Sequence, residues 1–335
     1  MTEDLKRIES IIQDAQNIVV VQADNPDGDS IGSALALEQL LHQMGKTPHL
    51  YCGVSIPTYL RYLHGWDRIE DKLPDEFDAS IFVDVSTLTL LEKINTDKHY
   101  QKLQEAPCIV IDHHGEVEKQ IDFADVTIND DTKSSAGEVV YSIAKELKWN
   151  LTPDAAEPIM TAILGDTQGL SNELARPSTY RVMAELIEIG VDRPRLEYKR
   201  REYSKMPEII YSYKADLIKR TKFYLENKLA IVVIPQSEID TYSPLYNPGP
   251  LIQADILQVE DVAVVVVLKR YDDGKTTAAI RSNAGYKVAG ELAEHFGGGG
   301  HPFAAGFKLQ DNTPLDELLV NIVKTADALL KEIND

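Results

Sequence analysis

The sequence is poor in cysteine, tryptophan, positive charge and long apolar runs. Cys52 and Cys108 are the only cysteines among 335 residues, and each lies in or beside an apolar stretch (HLYC, PCIVI). Two such thiols build no disulfide framework, and buried, reduced side chains are the expected state. Apolar runs are strand-sized, as in VAVVVVL at 262–268, and none approaches the roughly 20 residues that cross a bilayer. The opening MTEDLKRIESIIQDAQ has no charged-then-apolar signal pattern, so a cytoplasmic location without a membrane partner is expected. Lys and Arg number 34 against 54 Asp and Glu, a net charge of −20. The averaged field therefore repels phosphate backbones and argues against a general duplex DNA binder.

What is present is enough apolar material for real cores: 43% hydrophobic and 26% charged residues, ordinary values for a folded soluble chain. The length favours two domains. In the first half, short apolar runs (IVVV at 18–21, HLYC, SIFVDV, CIVID) alternate with helical patterns, the first from 30 to 44 and closed by Gly45. Strands interleaved with amphipathic helices predict a mostly parallel α/β sheet covered on both faces. Helical patterns follow at about 135–148, 154–164 and 178–190. Strand patterns return at 229–234, 262–268 and 276–282, followed by helices at about 286–295 and 313–333. The expected organisation is a domain over 1–190, a charged helical linker over 191–228 and a smaller α/β domain over 229–335.

Three strand-like runs of the first half end in candidate ligands. IVVVQADNPDGDS supplies Asp24, Asp27 and Asp29, SIFVDVS supplies Asp84, and CIVIDHHG supplies Asp112, His113 and His114; TAILGDTQG adds Asp166. In an open parallel sheet the carboxyl ends of the strands share one edge, where ligands bind, so these groups converge although distant in sequence. Singly, each Asp reads as well as a turn or helix cap, and a lone His as a hydrogen-bonded one. Together they would repel one another unless a cation intervened. Carboxylate and imidazole donors suit Mn2+ or a related ion, and about five ligands suffice for two ions about 3.5–4 Å apart, an arrangement suited to phosphoester displacement.

These segments resemble the DHH family of phosphoesterases. The resemblance rests on NPDGDSIGS, FVDVS, IDHHG and LGDTQG in that order, then IRSN (281–283 with Ile280) and FGGGGHPFAAG (296–306), which is similar to the DHH-associated C-terminal domain. Within the family the chain is similar to the short branch of nanoRNases, 3′-phosphoadenosine-5′-phosphate (pAp) phosphatases and dinucleotide phosphodiesterases. The resemblance implies a DHH catalytic domain, a DHH-associated substrate-binding domain and an active-site cleft between them.

By matching position it implies Asp27, Asp29, Asp84, His113 and Asp166 as ligands of two Mn2+ ions, with Mg2+ or Co2+ as substitutes, and Asp84 as the bridge. It implies His114 and Asp112 as catalytic groups, with Asp112 orienting the histidines. Arg281, Ser282, Gly298, Gly299, Gly300, His301 and Ser135 are the implied substrate-binding residues; before the helix near 136, an ordinary cap explains Ser134 equally well. The branch carries His where this chain has Ala23, and Gln22 or Asp24 are the candidate replacements. Short RNA or small nucleotides are the implied partners, and a homodimer is allowed. A cyclic dinucleotide phosphodiesterase, or a nucleotide sensor weakened at Ala23, are the alternatives. The basic run Arg193 to Lys205 reads as a solvated helix face or a nucleic-acid track, with Tyr198 and Tyr203 expected to pack between domains.

Overall fold

The computed structural model describes residues 2–333 apart from 86, 92, 116–120, 244–246 and 311, and leaves the side chains of residues 89, 96, 248, 250 and 301 outside the description. In chain order the first part comprises α1 (Glu3–Asp14), β1 (Asn17–Gln22), α2 (Gly28–Gln43), β2 (Thr47–Cys52), β3 (Ile69–Glu70), β4 (Ala79–Val83), α3 (Tyr100–Glu105), β5 (Cys108–Asp112), β6 (Val126–Asn129), α4 (Ala136–Glu146), α5 (Pro153–Asp166), α6 (Pro177–Ile189) and α7 (Arg193–Tyr203). The second comprises α8 (Glu208–Arg220), β7 (Lys222–Tyr224), β8 (Leu229–Pro235), α9 (Gln236–Tyr242), α10 (Pro248–Ile256), β9 (Val264–Arg270), β10 (Thr276–Ser282), α11 (Ala289–His295), β11 (Gly299–His301), β12 (Ala304–Leu309) and α12 (Leu315–Glu332).

The chain divides into two compact units between Lys205 and Met206. The division falls inside the segment read as a linker, which contributes α7 to the first unit and α8 to the second. The first unit holds a six-stranded sheet of order β3-β2-β1-β4-β5-β6 in which every pairing is parallel. Alternation sends Ile18, Val20, Ile81 and Ile109 into a core beneath α2, α4 and α5, and Val19, Val21, Phe82 and Val110 into a second core on the opposite face. A strand buried on both faces reads as an unbroken apolar run, which is why IVVV and CIVID stand out in the sequence.

Three helices meet tightly beside the carboxyl end of this sheet. A Cβ on Gly32 of α2 would lie 2.5 Å from the Pro158 carbonyl oxygen of α5, and one on Gly137 of α4 would lie 2.4 Å from the Ala162 Cβ. Glycine is required at both positions for α2, α4 and α5 to approach closely enough to share one site.

The second unit holds a sheet of order β11-β12-β10-β9-β8-β7, antiparallel except for β8 and β9. It too is covered on both faces, by α11 and α12 on one side and α8 and α10 on the other. The glycine run turns at Gly297 (φ +74°) and enters β11. Among the described residues, no helix is long and apolar enough to cross a membrane.

Candidate active site

The strand order of the first sheet reverses between β1 and β4, and a crevice opens at such a switch point outside the carboxyl ends of the strands. Asp27 and Asp29 follow β1, Asp84 follows β4, and His113 and His114 follow β5. Asp166 arrives on the last residue of α5. The structure thus brings together groups that lie up to 139 positions apart between Asp27 and Asp166.

His113 Nε2 lies 2.9 Å from Asp166 Oδ2, 3.4 Å from Asp29 Oδ2 and 3.8 Å from Asp84 Oδ1. Two overlapping groups emerge, one of Asp29, His113 and Asp166, the other of Asp84, Asp112, His113 and His114, each with donor atoms within 4.8 Å of one another. Asp27 belongs to neither group. Its side chain sits exposed at the rim, and its Oδ1 caps α2 by accepting the N–H groups of Asp29 and Ser30 at 2.9 and 3.0 Å. The cap and the ligand readings of NPDGDS therefore fall on different oxygens or different residues of the same turn.

Asp29 is fully buried and held from two sides. The N–H groups of Ala136 and Gly137, at the start of α4, donate to Oδ2 and Oδ1 at 2.6 and 3.0 Å, and Ser33 Oγ donates to Oδ1 at 2.8 Å. A helix N-terminus favours negative charge there, yet burial outweighs it, and together with the Asp166 charge raises the Asp29 pKa to about 7. Asp84 is pushed well above the carboxylate range, first by burial and then by the charges of Asp29 and Asp27. Its backbone occupies the left-handed region (φ +57°), a conformation costing about 1–3 kcal/mol for a non-glycine residue and concentrated at functional sites. For His113, burial favours the neutral ring, but the neighbouring Asp166 and Asp29 carboxylates prevail and raise its pKa to about 9.

The donor set fits a divalent cation. Asp84 Oδ1 is buried and makes no hydrogen bond among the described residues, and His113 Nε2 faces the carboxylates of Asp166, Asp29 and Asp84, a crowding of like charge that is costly unless something positive meets it. Oxygen donors with one imidazole suit a hard or borderline ion rather than a thiophilic one. Asp112 stands behind them: its Oδ1 takes the His113 N–H at 2.7 Å and lies 2.7 Å from His114 Nδ1. Burial would lower the His114 pKa, but this contact outweighs it and raises the value.

Of the two candidate replacements at Ala23, Asp24 has one oxygen engaged, its Oδ2 accepting the Lys93 N–H at 2.8 Å, while its buried Oδ1 makes no hydrogen bond among the described residues. Gln22 is fully buried, and neither atom of its side-chain amide has a hydrogen-bond partner among the described residues. Alternation places it on the sheet face of Ile18 and Val20, the face covered by α2, α4 and α5.

Ser135 is also fully buried. Its Oγ caps α4 by accepting the Glu138 N–H at 3.0 Å, while Ser134 Oγ donates to the buried Glu138 carboxylate at 2.5 Å. This support of α4, and through it of Asp29, is invisible as chemistry in the sequence. Its only trace there is the cap pattern SSAGE.

In the second unit, Arg281 on β10 and His301 on β11 both pair in register with Ala304 of β12, so their backbones flank one residue at about two strand spacings, ~10 Å. The His301 side chain lies outside the described residues. Ser282 is nearly buried and its Oγ makes no hydrogen bond among them. Close packing accounts for two of the glycines: a Cβ on Gly298 would lie 2.2 Å from the Gly306 carbonyl oxygen, and one on Gly300 2.7 Å from that of Ala304, whereas Gly299 faces open space. Asn283 is structural, its Nδ2 donating to the Leu257 and Val262 carbonyls at 2.7 Å. Tyr198 and Tyr203, expected to be packed, are 64% and 46% exposed.

The DHH family, N-terminal domain, matches residues 17–163, and the DHHA1 domain matches residues 249–332. The chain belongs to the DHH family of phosphoesterases. Among relatives, the "Bifunctional oligoribonuclease and PAP phosphatase NrnA" of Thermus thermophilus is 27% identical over 322 residues, covering 92% of this chain and 87% of that protein. The protein of the same name from Bacillus subtilis is 22% identical, covering 91% and 93%. An exopolyphosphatase-related protein from Bacteroides fragilis superposes with a TM-score of 0.86 over the whole of both chains at 21% identity, which establishes a shared fold. With DHH membership in hand, the tripeptide Asp112-His113-His114 acquires a division of labour in this chain: Asp112 as the buried anchor, His113 inside the carboxylate cluster, and His114 half exposed beside it.

Proposed function

We propose that the protein hydrolyses phosphoester bonds of short linear ribonucleotides with a divalent-cation centre, its substrates being oligoribonucleotides of a few residues, linear dinucleotides and pAp. The carrying observation is the convergence of buried Asp29, Asp84 and His113 with Asp166, and the buried Asp84 Oδ1 that makes no hydrogen bond among the described residues. The names of the relatives that match nine-tenths of the chain point to the same substrates, and the net charge of −20 disfavours long polyanions.

In this reading Asp29, Asp84, His113 and Asp166 hold the cation, Mn2+ by preference and in a pair of ions, with Asp27 completing the set from the rim and Gln22 standing in for the residue replaced by Ala23. A divalent cation supplies Lewis acidity, acidifying water and offsetting charge on the phosphoryl group. Asp112 fixes the ring of His114 through its contact with Nδ1, and the raised pKa of that ring favours the protonated form that can donate from Nε2 to a phosphoryl oxygen or to the departing alkoxide. Arg281 offers a planar guanidinium for bidentate grip of a phosphate, and the DHHA1 residues Ser282, Gly298 to Gly300 and His301 contribute to substrate binding.

The test is a panel of dinucleotides, pentanucleotides, pAp, cyclic dinucleotides, pyrophosphate and long single strands with Mn2+. Higher kcat/KM on the short linear members and pAp is expected. Faster turnover of cyclic dinucleotides would support the reading suggested by the Bacillus subtilis "Cyclic-di-AMP phosphodiesterase GdpP", 23% identical over 88% of this chain and 45% of that protein; faster turnover of pyrophosphate or long strands would overturn both.

A further inference from the structure

A cavity of the first unit, about 620 Å3 in volume, is lined both by Asp27 and Asp166 and by Arg193 and Arg200 of α7, with Tyr59 and Tyr62 in its wall. Small-ligand sites span about 300–1,000 Å3. The cavity therefore joins the acidic centre, where a cation and a reacting phosphate would meet, to a region of the opposite charge.

The arginine end is overprovided. Arg193, Arg200 and Arg201 all bond the single carboxylate of Glu197, at 3.4, 2.8 and 2.9 Å for their nearest contacts. Three positive charges on one negative leave an excess of two. A helix that only needed i,i+3 or i,i+4 stabilisation would use one pair. Arg200 commits its Nε–H and one Nη2–H to Glu197, most of its N–H donors remain available among the described residues, and its side chain is 52% exposed. Glu197 holds the forks in place and, being a planar carboxylate, occupies the position a phosphate would take between them. Tyr59, 45% exposed, lines the same cavity and is an aromatic residue of the kind on which a base stacks.

We propose that this cavity is a subsite for a second, non-reacting 5′-phosphate of the substrate, gripped by Arg193 and Arg200, with the attached base against Tyr59. The proposal rests on the phosphoesterase reading and narrows it to substrates with a 5′-terminal phosphate: pAp over 3′-AMP, and pApA over ApA. It also gives α7 a function that neither a solvated helix face nor a track for long nucleic acid would supply, since a cavity of this size takes one nucleotide end.

The test has a binding arm that does not depend on turnover. Calorimetry with 5′-AMP and adenosine on the full chain should show AMP bound more tightly than adenosine. In Arg200→Gln and Arg193→Gln that margin should fall about tenfold or more, with Arg200→Lys falling between. Glu197→Gln should shift it the other way, since it removes the internal competitor. In the turnover arm, the kcat/KM ratios of pApA to ApA and of pAp to 3′-AMP should follow the same order.

Equal AMP binding in wild type and both arginine variants would overturn the subsite, as would no AMP binding by the wild type, or a loss in Glu197→Gln matching that in Arg200→Gln. If the arginine dependence of AMP binding holds while none of these compounds is hydrolysed, the subsite stands and the proposed reaction falls. If hydrolysis proceeds with AMP binding indifferent to the arginines, the reverse is true.

Discussion

The two units each carry a six-stranded sheet covered on both faces, yet they concentrate polar groups in different ways. In the first, parallel strands deliver carboxylates and imidazoles to one edge, where helices crossing at glycines bury them against one another. In the second, mostly antiparallel strands leave Arg281, Ser282 and the glycine run at the end of a β10-β12-β11 ladder. Parallel topology makes all strand ends chemically equivalent and so gathers charge, which burial then makes expensive. An antiparallel ladder alternates its ends and places isolated donors beside close-packed backbone. The first arrangement suits a cation centre and the second suits gripping an anion.

The contrast breaks most sharply at Asp84. Asp84→Asn keeps the shape but removes a charge that burial and its neighbours already disfavour. The expected loss is about a thousandfold or more in kcat/KM, together with lower metal content by elemental analysis. The unfolding temperature should stay level or rise, because one repulsive partner is gone. An active Asp84→Asn protein with full metal content would remove the basis for assigning chemistry to the first unit.

The next largest effect is expected in the second unit. Arg281→Gln removes a charge-assisted grip of about 1.5–3 kcal/mol, so KM for a short nucleotide should rise roughly ten- to a hundredfold. A smaller drop in kcat than rise in KM would mark uniform binding of substrate and transition state. Steady-state kinetics on both variants therefore sharpens the division: chemistry failing at Asp84, affinity failing at Arg281. Equal losses in kcat and kcat/KM at Arg281 would place that residue with the reacting phosphate instead.

Much of this was legible in the sequence because buried parallel strands are unbroken apolar runs with abrupt polar ends. CIVID and TTAAIRS coincide with β5 and β10 residue for residue, and the acids following β1 and β4 and the histidines following β5 mark the site edge. Less legible were features made by distance. Nothing near Asp29 announces that α4, more than a hundred residues on, will donate two N–H groups to it. The roles of Gly32 and Gly137 depend on which helices cross, and glycine alone names no partner. Positive φ at Asp84 leaves no decisive residue signature, since aspartate tolerates the left-handed region better than most non-glycine residues but also occupies ordinary turns and caps. The basic run of α7 read as a solvated face because Glu197, one of two acids among five arginines and lysines, gives no sign that three of them converge on it.

The glycine run separates packing from binding at the smallest scale. Glycine is a poor strand former, so FGGGGH reads as a loop, but β12 approaches so closely that two of the four have no room for a side chain. Gly300 has φ +138°, and a Cβ there would lie 2.7 Å from both the Ala304 carbonyl oxygen and the Ala305 Cα. Gly300→Ala should therefore destabilise the second unit by about 1–3 kcal/mol, read as an earlier transition in denaturant. Gly299 meets nothing within 4 Å, and Gly299→Ala should lie within about 0.5 kcal/mol of wild type. If Gly299 is glycine because a phosphate comes close to its backbone, the alanine variant keeps its stability and loses affinity, raising KM several-fold. Equal destabilisation by the two alanines would make the whole run a packing device and leave Arg281 as the better-supported anion contact of the second unit.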